Sequence, residues 1–206
     1  MNSLHSSTSL GALVLALVAS PTLAATTVKT DTTTAQVTST AGDVTVTDAG
    51  TITLSSGSAI TVDSNNAVDV EGGLALGGAD GATGIAVNAG TTSTVTVGED
   101  ATIAVKESFV PDDDNSDGYA DGSIASASNR YGIHVLSGAT TSGSISNAGV
   151  ITVEGLNSGG IVVDSDYVGD ITNTGTIKVL GDNSVGISTQ AVDGDITLDG
   201  TVTVVG

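Results

Sequence analysis

Residues 111–123, PDDDNSDGYADGS, hold the densest cluster of side chains able to do chemistry. Asp113, Asn115, Asp117, Gly118 and Asp121 follow the spacing that opens a calcium-binding loop, D-x-[DN]-x-[DN]-G. Oxygens at alternate positions turn toward one ion, and the glycine permits the sharp bend. Tyr119 would supply its backbone carbonyl and Asp121 a water-mediated contact. The twelfth position, where a bidentate Glu belongs, is Ile124, so Asp112 or Asp114 would have to complete the shell. Calcium is the one cofactor this pattern suggests, with affinity at the weak, extracellular end of the range. The competing reading is a solvated acidic loop with no ion.

The remaining inventory is thin. Gly77-Gly78-Ala79-Asp80-Gly81 is faintly similar to a G-G-x-G-x-D calcium repeat, but it occurs once and reads as a β-turn. His134 is the only histidine after residue 25. Its neighbours Ile133 and Val135 point inward, so it points out, with Arg130 and Tyr131 close by in sequence. One histidine makes no Ser/His/Asp arrangement. Asp164, Asp166 and Asp170 could form the carboxylate pair of a glycoside hydrolase, yet nothing separates them from a solvated turn. Thr-x-Thr pairs at Thr45-Thr47, Thr51-Thr53, Thr94-Thr96 and Thr201-Thr203 could order water on a flat face. Asn173 and Lys178 are expected to interrupt such faces, so the threonines read as soluble strand formers. No catalytic residue is expected.

The elements that must carry these residues come from internal repetition. Gly143 to Val153 reads GSISNAGVITV, Gly169 to Val179 GDITNTGTIKV and Gly194 to Val204 GDITLDGTVTV, with starts 26 and 25 residues apart. Gly42 to Leu54, GDVTVTDAGTITL, is an earlier relative. A Gly-Ile step recurs at Gly84-Ile85, Gly132-Ile133, Gly160-Ile161 and Gly186-Ile187. Each repeat holds three short runs that alternate apolar and polar residues, the period of half-buried strands. Gly and Asn separate the runs, where the chain turns. Three strands per period of about 25 residues predict an all-β, right-handed parallel β-helix with one coil per repeat. Stacked Ile and Val fill such a narrow interior. Asn147 and Asn173 occupy equivalent turn positions and are expected to stack as a ladder that ends at Leu198.

Composition agrees with this reading. The 206 residues carry 23 acids and 4 bases, a formal net charge of -19. Nucleic-acid phosphates and anionic membranes would be repelled. There is no Cys, so no disulfide or thiolate-metal site. Aromatics make up 2 %, as a thin core requires. At the start, Leu10 to Val18 (LGALVLALV) and the small residues after Pro21 form a secretory signal, cleaved after Ala24 or Ala25. The run is too short to span a bilayer. The expected organisation is a signal peptide at 1–25, a cap or lead-in at 26–40, and a repeat region at 41–206 with an acidic insertion at 111–123. The abrupt TVTVVG ending suggests that the chain continues or is truncated.

A signal peptide followed by G-[DS]-I-[ST]-N-x-G-x-I-x-V units, as at Gly143–Val153 and Gly169–Val179, resembles the passenger domain of bacterial autotransporters. That resemblance implies a right-handed parallel β-helix displayed on the outer surface of a Gram-negative cell. It implies a structural, adhesive or biofilm role, without catalysis. The partner would be a host or neighbouring-cell surface, or a matrix polysaccharide. Attachment to the outer membrane would run through a C-terminal barrel, which this chain does not contain. A polysaccharide-degrading enzyme on the same scaffold, and a calcium-dependent surface module, are the alternatives.

Overall fold

A computed structural model describes residues 23–116 and 121–206. The segment expected as a signal peptide, apart from its last three residues, and three members of the calcium pattern, Asp117, Gly118 and Tyr119, lie outside the described residues.

Alternation of Val or Ile with Thr or Ser gives strands that bury one face, and every strand pairing is parallel. The chain winds through three sheets in turn, forming a β-solenoid of about six turns. Sheet A contains Thr26–Val28, Val44–Val46, Val68–Val70, Thr92–Val97, Thr141–Asn147, Tyr167–Asn173, Val192–Asp193 and Ile196–Leu198. Sheet B contains Thr51–Leu54, Gly73–Leu76, Thr102–Val105, Val150–Glu154, Thr176–Leu180 and Thr201–Val205. Sheet C contains Gln36–Val37, Ser58–Val62, Thr83–Val87, Tyr131–Val135, Gly159–Val163 and Val185–Thr189. The one described helix is a single turn, Thr38–Ala41. Residues 26–40, expected as a cap or lead-in, supply the first strands of sheets A and C.

Register aligns like with like. In sheet C, Ile60, Ile85, Ile133, Ile161 and Ile187 form one inward column. In sheet B, Ile52, Leu74, Ile103, Ile151, Ile177 and Val202 form another. Branched side chains stacked at the strand spacing fill the interior without aromatics, and each coil buries its faces on its neighbours.

The recurring Gly-Ile step has a packing cause. Gly132 points inward beside Ile133, and a Cβ there would lie 2.4 Å from Ile151 Cγ2 and 2.6 Å from the Gly160 carbonyl oxygen. Gly84, Gly160 and Gly186 meet Ile103, Ile177 and Val202 in the same way. Only glycine lets the sheet B column reach this corner. The glycine that opens each G-[DS]-I unit meets a different constraint. Gly143 has φ +129°, and a Cβ on it would overlap the Ser93 carbonyl.

The chain leaves the sheets after Val105 and returns at Tyr131. This excursion contains the expected insertion at 111–123 and is longer than it.

Candidate functional site

Three places gather side chains with chemical potential: the root of the excursion, its acidic tip, and the outer face of sheet C.

At the root, Arg130 is fully buried. The sequence placed it beside outward-facing His134, but its side chain turns into the solenoid. Its guanidinium donates to the carbonyl oxygens of Gly77 (2.5 Å), Lys106 (2.9 Å) and Glu154. Gly77 and Lys106 follow, and Glu154 ends, in-register sheet B strands of successive coils. A planar fork with five donors suits several carbonyls at once. Gly155 leaves room for the side chain, since a Cβ there would lie 2.9 Å from Arg130 Cδ. Burial draws Arg130 below its ordinary pKa, and Glu107, Glu154 and Asp80 oppose that. The same acids stitch the excursion shut. Glu107 accepts from the amides of Ser126 (2.7 Å) and Ala127 (2.9 Å), Asp80 from Ser128 (2.8 Å), and Glu154 from Glu107 (3.0 Å).

The repeats mark position 130 as an exception, though not which way its side chain turns. Asn129, Asn157 and Asn183 all adopt positive φ, at 56°, 49° and 57°. Serine follows the last two, Ser158 and Ser184, and arginine the first.

At the tip, Asp113, Asn115 and Asp121 of the calcium pattern are described. Asp121 Oδ2 accepts from the amides of Asp114 (2.7 Å) and Asn115 (3.2 Å), and Oδ1 from Asn115 Nδ2 (3.3 Å). The carboxylate that would face an ion thus folds back on the loop. Among the described residues no group of three or more His, Asp or Glu stands together in a metal-binding arrangement.

On sheet C, His134 does point outward. Its Nε2 lies 2.8 Å from Asp164 Oδ2 on the following coil. Its ring packs on Tyr131, with centroids 4.0 Å apart and planes at 33°. Because Gly132 turns inward, Tyr131 and His134 share the outer side of one strand. Burial, then the Asp164 charge, raises the Tyr131 phenol. Ala86 and Val162 flank His134 in register, so no hydroxyl nucleophile neighbours it there. Asp170 lies on sheet A, where its Oδ1 accepts the Asp195 amide at 2.9 Å. Asp164 and Asp170 therefore do not form a pair on one sheet face.

The other outer faces are hydroxyl-rich and acidic. Asn173 faces the interior and does not interrupt sheet A. The outward column there runs Thr27, Thr45, Asp69, Thr96, Ser146, Thr172 and Thr197. Glu71 is raised by burial and then by Asp69, Asp48 and Asp100. Asp63 is held below the usual carboxylate range. Burial pushes it up, but bonds from Ser39 (2.7 and 2.6 Å) and Thr38 (3.2 Å) outweigh that. An open groove of about 670 Å³ is lined by Leu54, Ala75, Leu76, Ala104 and Lys106, among others, and by no carboxylate. No protein family, curated protein or solved structure matches this chain.

Proposed function

We propose that this chain is an exported, surface-displayed β-solenoid with a structural, adhesive or biofilm role, of the autotransporter-passenger kind. One observation carries this reading: about six turns stack with outer faces of Thr, Ser and Asp. Such a body supports a stalk whose length, not a concave active site, is the useful property. The open groove beside Leu54, Ala75, Leu76 and Ala104 is lined by no carboxylate, and the carboxylates lining the smaller cavity at the excursion root, Glu107 and Glu154, are engaged by backbone amides. The apolar run Leu10 to Val18 supports export.

The test is protease shaving of intact cells that express the natural gene. Loss of an epitope within residues 141–206, with a periplasmic marker intact, is the expected result. An epitope released only after lysis would refute surface display.

A further inference from the structure

We infer that Tyr131, His134 and Asp164 form a binding patch for a cationic glycan, a polymer of deacetylated amino sugars. The inference names a partner for the adhesive reading, and the binding itself can be tested whether or not the chain is displayed on a cell.

Tyr131 is the one aromatic on the outer face of a sheet among the described residues. Tyr167 is buried, and Phe109 belongs to the excursion. Its ring is preorganised. It packs on His134, and Asp164 of the next coil fixes His134 by the 2.8 Å contact. Side chains already held in place lose little freedom on binding. The flat π-face of a tyrosine accepts the C–H face of a sugar ring and attracts a nearby cation.

Asp164 supplies the charge. Its side chain is 41 % exposed, and only Oδ2 meets His134. Among the described residues no donor bonds to Oδ1, so it is available to a ligand ammonium as a charge-assisted acceptor. No lysine competes for it. Lys29, Lys106 and Lys178 all lie off sheet C, and Arg130 is buried. The net charge of -19 draws cations toward this surface and repels anionic polymers. A neutral glycan would use the ring but leave the carboxylate without its counter-charge. An amino sugar satisfies both.

The experiment is calorimetric titration of the chain with a glucosamine hexamer in mildly acidic buffer. Parallel titrations use the N-acetylated hexamer, a galacturonate hexamer and hexalysine. The glucosamine hexamer should bind tightest. Tyr131→Ala and Asp164→Asn should each weaken it roughly tenfold. Tyr131→Phe should retain binding, which separates loss of the ring face from misfolding. Asp31→Asn, an equal charge change away from the patch, should leave affinity within about twofold. Three results would overturn the inference: no binding of the glucosamine hexamer, an equal loss from Asp31→Asn, or hexalysine binding as tightly with the same dependence on Tyr131.

Discussion

Asn147 and Asn173 are fully buried, neighbours in one inward column that runs from Val97 to Leu198. Asn147 Nδ2 donates to Asn173 Oδ1 at 2.7 Å. Longer contacts run from each amide to the carbonyls of Gly149 (3.5 Å) and Gly175 (3.4 Å). Asn147 Oδ1 faces Val97 and has no partner. Asn147→Val alone strands Asn173 Oδ1, and Asn173→Val alone removes the acceptor from a buried amide. A stranded buried amide group costs about 1–3 kcal/mol, so Asn173→Val, which adds one, should lose that much, whereas Asn147→Val exchanges its own orphaned oxygen for that of Asn173 and should stay within about 1 kcal/mol of the native chain. The double variant strands nothing. The Gly149 and Gly175 carbonyls still accept the amides of Thr176 (2.8 Å) and Thr201 (2.9 Å). The column becomes apolar throughout, and the orphaned Asn147 oxygen disappears. Its stability should equal or exceed that of the native chain, a coupling of roughly 1–3 kcal/mol between the two sites. Urea unfolding followed by far-UV circular dichroism measures all four proteins. A double variant as unstable as the sum of the singles would refute the ladder argument.

Three further outcomes follow from the packing. Gly132→Ala drives a methyl into Ile151 and the Gly160 carbonyl and should cost upward of ~2 kcal/mol, whereas Gly122→Ala, with open space around it, should stay within ~0.5 kcal/mol in the same urea assay. Arg130→Met leaves the Gly77, Lys106 and Glu154 carbonyls without their donor and should lose about 3–5 kcal/mol. Arg130→Lys should recover little, because an ammonium lacks the planar fork, and limited proteolysis should cut residues 107–128 first in both variants. Tyr167 is buried, and burial, then Asp170, pushes its phenol up to about 12. Above pH 10 the unfolded chain ionises this tyrosine while the folded chain keeps its proton, so stability present below pH 10 falls as pH rises through 12. The loss is about 2–3 kcal/mol. Tyr167→Phe should flatten that part of the alkaline denaturation profile, and an unchanged profile would show that Tyr167 does not cause it.

The parts of this fold that repeat could be read from the sequence, and the parts that occur once could not. The Ile and Val columns and the Gly-Ile step recur down the chain, at 25 or 26 residues from Ile151 onward, and the Asn147–Asn173 ladder follows the same 26-residue step, so alignment of the chain with itself placed them in register. The pairing of His134 with Asp164 spans 30 residues. It runs diagonally between coils, off the aligned positions, and alternation alone showed only that His134 faces out. Arg130 bonds to carbonyls 24 and 53 residues away. Its inward turn contradicts what a lone arginine beside a half-buried strand normally does. Residues 26–40 looked aperiodic because the first coil is short, with Thr26 pairing to Val44 only 18 residues on.

The distribution of chemistry along the solenoid follows from the same contrast. A column of equivalent positions carries similar residues on successive rungs, mostly apolar inside and Thr, Ser or Asp outside, so a regular coil brings few aromatic or basic side chains together. Convergence needs a rung that departs from the pattern. The clusters that gather the chain's aromatic and basic groups, Arg130 with Glu107, Glu154 and Asp80, and Tyr131 with His134 and Asp164, involve the strand Tyr131–Val135 or the residue before it. That strand is where the chain re-enters the stack after the excursion. The excursion relaxes the spacing rule for one coil. Arg130 then restores the lost carbonyl partners from within, and Tyr131 and His134 are free to differ from the Thr83 and Ala86 that precede them in register. The buried arginine and the outward ring pair are thus two faces of one break in the repeat. Removing the excursion while keeping Tyr131 to Val135 should disturb the inner cluster, which contains Glu107, before the outer one, which draws on no residue of it.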